Sequence, residues 1–263
     1  MMKTRHNIYC FFILCLCACD QGNYYGGENN TLRYHYTTIA EKAPDCPSNT
    51  DNGCTIIKFS YPVFKGQEKL NDTIVSKLAK MFPVFNNSRT DFHEIAKSFF
   101  VRYKNYLAVD PQKPAFYPLN EYAKVAKQDP GLVTIETGGY LLATYKPLSN
   151  ISFINWDTQS NKIIGLNDLF KPGFQDLLNK AAEGIFRKNL NLTDTEPLDK
   201  KYTFKGGKFA LNKNFLVTPF GIRFLFNEGE IQPRSGGFTI IMVPYSNIKS
   251  ILKSQTVVTQ YIR

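Results

Sequence analysis

The stretch from Asn214 to Ile251 limits what this chain can fold into more than any other. Phe215-Leu216-Val217 is a short apolar run. Thr218-Pro219-Phe220-Gly221 then puts Pro second and Gly fourth, as in a type I turn. Ile222, Phe224 and Phe226 alternate with Arg223 and Asn227, the period-two pattern of a strand with one buried face. After a turn-rich interval closed by Ser235-Gly236-Gly237, Phe238 to Val243 is almost unbroken apolar, the pattern of a strand covered on both faces. Pro244 stops it, and Tyr245, Ile248 and Ile251 follow at helical spacing. This is the core pattern of a small α+β domain, and it holds no catalytic constellation.

The chain opens with an address. Lys3, Arg5 and His6 precede an apolar segment from Ile8 to Ala18. A membrane-spanning helix needs about twenty apolar residues, so this shorter segment fits a secretory signal. It ends Leu16-Cys17-Ala18-Cys19, which resembles the bacterial lipobox, with Cys19 as the acylated first residue of the mature protein. An ordinary signal peptide rich in cysteine is the alternative. Residues 1–18 are therefore expected to be signal. Residues 19–30, polar and Gly-rich, are expected to be a flexible tether to the membrane.

The chain has 32 basic and 22 acidic residues; without Lys3 and Arg5 the balance is +8. Such a charge favours anionic partners, either membrane headgroups or cell-wall polymer. Export and the lack of any nucleic-acid-binding motif argue against nucleic acid.

Cys46 and Cys54 enclose a run of turn formers between two strand patterns, 32–39 and 55–64. In an oxidising compartment these two are expected to form a disulfide, with two thiols as the alternative. Leu70, Ile74, Leu78 and Phe82 then mark one helix, and Phe92, Ile95, Phe99 and Tyr103 a second. The Pro-rich stretch 110–119 is the expected domain boundary. Strands follow over 122–127, 132–145 and 151–156, and Pro172 opens a helix carrying Phe174, Leu178 and Phe186. The expected fold class is α+β: two small domains, 31–115 and 116–263, of mostly antiparallel sheets each packed by helices.

Candidates for chemistry are few. Asp157 and Asp168 flank a turn, as do Glu228 and Glu230, and all four read as turn formers before they read as catalytic pairs. His35 and His93 read as structural. No nucleophile elbow, metal-binding helix motif or phosphate loop appears, and no cofactor or metal is expected. Lys200, Lys201, Lys205, Lys208 and Lys213, interleaved with Tyr202, Phe204 and Phe209, can grip an anionic glycan or headgroup. They also suit a solvated loop and edge strand. Tyr140, Tyr145 and Trp156 are the aromatic candidates for stacking on a sugar, with core packing the alternative for Trp156 at its strand end.

Two blocks carry a family resemblance. FINWDTQSNKIIGLNDLFKPGFQDLLNKAAEGIFRK and FLVTPFGIRFLFNEGEIQPRSGGFTIIMVPYSNIKSIL resemble the RsiV-like extracytoplasmic domain, domain of unknown function 3298. FSYPVFKG and LNDTIVSKL resemble its usual N-terminal partner, the PdaC-like domain, domain of unknown function 4163. The resemblance implies a two-domain ectodomain, PdaC-like over 31–115 and RsiV-like over 116–263, that is tethered to the cell envelope and binds things. In anti-sigma relatives it is a lysozyme receptor; elsewhere it accompanies peptidoglycan deacetylases. Where such domains often carry a Tyr-Thr-Gly-Gly-Ala-His-type motif, this chain has Thr137-Gly138-Gly139-Tyr140 and no His. With neither a spanning helix nor an anti-sigma segment in the sequence, the signalling role is not expected here. Lysozyme is itself basic, so a +8 receptor would face like-charge repulsion unless its binding face is locally acidic.

The reading is a non-catalytic lipoprotein of the bacterial cell envelope that binds peptidoglycan, another anionic glycan or an envelope protein. A lysozyme-binding or inhibiting lipoprotein is the alternative, as is an accessory lipoprotein without soluble ligand. A glycan deacetylase or hydrolase is the remotest reading.

Overall fold

The computed structural model describes residues 25–26, 31–44, 46, 54–82, 91–109, 118–143 and 146–262. Cys19 and Tyr145 lie outside them.

Strands β1 (Tyr34–Lys42) and β2 (Ile56–Phe64) pair antiparallel. No disulfide joins Cys46 to Cys54 in this structure, where the sequence predicts one. The Cys46 thiol instead sits 3.8 Å from the Thr55 carbonyl, beside the last backbone bond of the pair, Ala43 N–H to Thr55 C=O. Helices α1 (Glu68–Ala79) and α2 (Phe92–Val109) follow, as their periodicity predicts. Leu70, Ile74 and Leu78 are fully buried, each contributing about 1.5–3 kcal/mol by burial.

Both helices lie in the connection between β2 and β3 (Leu119–Asp129), which pair in parallel. Parallel neighbours need such a crossover, because no tight turn can join them. The sheet continues antiparallel through β4 (Leu132–Ala143), β5 (Lys146–Asp157) and the two-residue β6 (Lys162–Ile163), in sequential order β1 to β6. The boundary expected at 115/116 therefore falls within one six-stranded sheet. Its first core lies between the sheet and α1–α2, and includes Phe59, Ile95, Ile135 and Trp156.

The rest of the chain builds the second unit. It comprises α3 (Leu166–Leu169), α4 (Gln175–Asn189) and a three-stranded antiparallel sheet of β7 (Phe215–Thr218), β8 (Gly221–Phe226) and β9 (Thr239–Pro244), closed by α5 (Tyr245–Ile248). The expected roles of two strands are exchanged. The central strand β8 is covered on both faces: Ile222 and Phe224 face α4, and Leu225 packs with Phe153 of β5. The almost unbroken apolar run is the edge strand β9, where Ile240 is 50% exposed.

Asparagines join the two sheets. The outer edge of β5 has no full partner strand upstream of β6, so its backbone groups need other partners. Asn227 accepts the Ile151 N–H at 2.8 Å and donates to the Ile151 carbonyl at 3.1 Å. Asn214 accepts the Phe153 N–H at 3.2 Å. The buried Asn155 of β5 reaches the other way, to the Phe215 carbonyl and the Val217 N–H, both at 2.8 Å.

Candidate functional site

On the helix side of this seam, α1 and α4 face one another across β5 and β6, leaving a cleft of about 790 Å³. A second depression of about 650 Å³ shares Thr73, Lys77 and Ile163 with it, so the two form one groove. Thr73 and Lys77 come from the flank of α1 beside the buried stripe of Leu70, Ile74 and Leu78, and Lys80 is its C-cap, at spacings of four and three. Lys213 lines the far wall. Its segment is fixed by the Leu211 N–H donating to Asn179 of α4 and by Asn212 donating to the Leu225 carbonyl. Ile163 and Phe174 supply apolar floor between these polar walls.

The groove is cationic. Lys77 is accessible along it, yet the surrounding protein partly desolvates its ammonium and lowers its pKa. Of the carboxylates that line the two depressions, Asp168 is already engaged: its Oδ2 accepts the Gly165 N–H at 2.7 Å and caps α3. That leaves Asp72 against Lys77, Lys80 and Lys213.

Asp157 and Asp168 also line a shallower depression of about 380 Å³, but Asp157 is committed too. It accepts Gln159 N–H, Ser160 N–H and the Ser160 hydroxyl. Burial pushes its pKa up; the Ser160 and Gln159 hydrogen bonds and the charge of Lys162 outweigh that and lower it overall. Glu230 accepts the Asn227 N–H and Asn212, as a turn former does. His93 ties α2 to β1 through Glu41, Nδ1 to Oε1 at 2.5 Å. Among the described residues no three His, Cys, Asp or Glu side chains are grouped to hold a metal.

The residues singled out in the sequence do not converge. Trp156 is 2% exposed in the first core and presents no stacking face to solvent. Tyr140 is exposed, but its register partner Ser149 alternates with Asn150 of the groove, so it projects from the opposite face of the sheet. Phe204 and Phe209 pack on Phe186 in the second core, at ring separations of 5.7 and 5.3 Å. They leave Lys200, Lys201, Lys205 and Lys208 as an exposed rim, in which the half-buried Tyr202 ring also packs on Phe186 and Lys201 pairs with Glu196 at 3.4 Å. Only Lys213 of that series lines the groove. Thr73 and Lys77 of α1 and Lys80 at its C-cap are not among the residues the sequence pattern singles out, although their spacing of four and three puts them on one stripe.

Residues 167–246, from α3 to the start of α5, match the model of a family described as "Protein of unknown function (DUF3298)". Two crystal structures share the fold. A DUF3298 family protein from Pseudomonas aeruginosa is 20% identical with a TM-score of 0.66, over 86% of this chain and 96% of its own. A member of the same family from Bacteroides fragilis is 18% identical with a TM-score of 0.70, over 88% and 97%. Among curated proteins, none matches the chain.

Proposed function

We propose that this is an exported cell-envelope protein, anchored by lipid at Cys19, that binds an anionic envelope glycan without transforming it. The observation that carries the reading is the groove: three cations, Lys77, Lys80 and Lys213, stand around an apolar floor with Asp72 as the one uncommitted carboxylate. Peptidoglycan, with its acidic peptide stems and sugar faces, suits such a surface. Ammonium groups answer its charge, and Ile163 and Phe174 its apolar faces. The resemblance to the RsiV-like extracytoplasmic domain, whose family model matches 167–246, and the lipobox-like Leu16-Cys17-Ala18-Cys19 support export and anchoring.

Binding is preferred to catalysis because Asp157, Asp168 and Glu230, the carboxylates nearest in pattern to an acid–base pair, each have a structural duty. The test is co-sedimentation with purified peptidoglycan while salt is raised. Attraction between exposed charges is screened over about 8–10 Å at physiological ionic strength, so binding should weaken steeply with salt. No sedimentation at low salt would sink the glycan reading. Capture of lysozyme under the same conditions would favour the protein-binding alternative.

A further inference from the structure

Within the stretch expected to be tether, Tyr25 is built onto the fold. Its N–H donates to the Tyr34 carbonyl at 2.6 Å, and Tyr34 N–H donates back at 2.9 Å, adding a bridge to the outer edge of β1. Gly26 has φ 75°, and a Cβ there would stand 2.4 Å from the Leu32 carbonyl, so the backbone lies against residue 32. Leu32 is held in turn by Gln128, which accepts its N–H at 2.9 Å and donates to its carbonyl at 3.1 Å. The chain is thus fixed to the domain six residues after Cys19.

At that point three tyrosines cluster. The Tyr25 ring is 5.5 Å from Tyr34 and 5.9 Å from Tyr36, and Tyr34 and Tyr36 are 5.7 Å apart. Tyr25 is 49% exposed and Tyr36 41%. Arg33 and Lys65, both exposed, meet beside them through the Lys65 N–H to Arg33 carbonyl bond of 2.9 Å. Asp129, next to Gln128, is occupied by Lys127 and by the Tyr261 hydroxyl.

We propose that this corner, Tyr25, Tyr34 and Tyr36 with Arg33 and Lys65, rests on the surface of the membrane that holds the protein. The proposal depends on the lipid anchor at Cys19. Six extended residues reach roughly 20 Å, so an acylated Cys19 keeps Tyr25 within that distance of the headgroups. Tyrosine is a side chain that membrane interfaces enrich, its ring among apolar groups and its hydroxyl in water. Arg33 and Lys65 complement the negative surface of an anionic leaflet. The domain is then held in one orientation, with the six-stranded sheet meeting the bilayer at its β1 edge.

Hydroxyl-radical footprinting of the full chain tests this. The lipidated protein on vesicles containing phosphatidylglycerol is compared with a soluble Cys19→Ser form, with Tyr140, exposed on β4 three strands in from β1, as internal reference. Intact mass and detergent partitioning first establish that the wild type carries lipid; if it does not, the anchor reading fails and this proposal falls with it. With lipid present, oxidation of Tyr25 and Tyr36 should fall by about threefold or more while Tyr140 is unchanged, because rings at the interface leave water. Part of the protection should be lost in neutral vesicles and in Arg33→Gln with Lys65→Gln. Equal oxidation of Tyr25 and Tyr36 in the lipidated and soluble forms would overturn the proposal.

Discussion

The side-chain amide of Asn155 meets the backbone of Val217 as a strand would: its Oδ1 accepts the Val217 N–H at 2.8 Å, while its Nδ2 donates to the Phe215 carbonyl at 2.8 Å. A single buried amide thereby bridges β5 of one sheet to β7 of the other, and with Asn214 and Asn227 it joins the two units. The groove depends on that placement, since Asn155 and Phe215 both line it.

Replacing Asn155 by Leu leaves a buried N–H and a buried C=O without partners, at about 1–3 kcal/mol each. We expect a loss of about 3 kcal/mol in denaturant unfolding. Asn155→Asp keeps the shape and the acceptor but cannot donate to Phe215 once ionised, and it buries a charge. It should be destabilised too, and more at pH 8 than at pH 5. A change below about 0.5 kcal/mol for Asn155→Leu, as for an ordinary surface site, would mean the seam is held by other contacts.

A second prediction concerns Glu121. It is 3% exposed on the helix side of β3, and burial raises its pKa well above the usual carboxylate range. The folded protein therefore keeps a proton that the unfolded chain gives up near pH 4.3. Its favourable contribution is complete below that pH and is lost progressively as pH rises towards the folded pKa. Glu121→Gln should be more stable than wild type at pH 7 and should flatten the decline in stability with rising pH. Identical pH profiles for the two proteins would contradict the assignment.

Local periodicity made much of the fold legible: Leu70, Ile74 and Leu78 announced α1, and Asp129-Pro130-Gly131 the β3–β4 turn. What it could not give was partnership between distant segments. Nothing local to 110–119 says that β3 will run parallel to β2 across two helices. The apolar run of β9 reads as central because apolarity reports burial from any cause, not position in the sheet. Thr137-Gly138-Gly139-Tyr140 stands where the family resemblance departs for lack of a His, and the structure supplies a packing reason for the glycines that remain. A Cβ on Gly138 would stand 2.4 Å from the Tyr122 hydroxyl oxygen, and one on Gly139 would stand 2.7 Å from the Phe82 ring, on the other face of the strand. The groove was illegible for the same reason as the β2–β3 pairing: α1 and the Lys213 segment are far apart in the chain.

The cysteines give a third test. Both flank the end of the β1–β2 ladder, and under the proposed export they would meet oxidants. We expect the folded, unreduced protein to show no titratable thiol at Cys46 or Cys54, and reduction to cost about 2.5 kcal/mol on the chain-entropy estimate. Two titratable thiols would mean that the dithiol form of this structure is also the mature one.

The most direct measurement of the binding claim compares two sets of neutralised lysines in peptidoglycan co-sedimentation at low salt. One protein carries Lys77→Gln, Lys80→Gln and Lys213→Gln in the groove; the other carries Lys200→Gln, Lys201→Gln, Lys205→Gln and Lys208→Gln on the rim. Both should remain folded, because exposed charges contribute little to stability. The account predicts that the groove protein loses affinity by about tenfold, roughly 1.4 kcal/mol, while the rim protein changes by less than about threefold despite losing one more charge. Loss in the rim protein with full binding by the groove protein would contradict it.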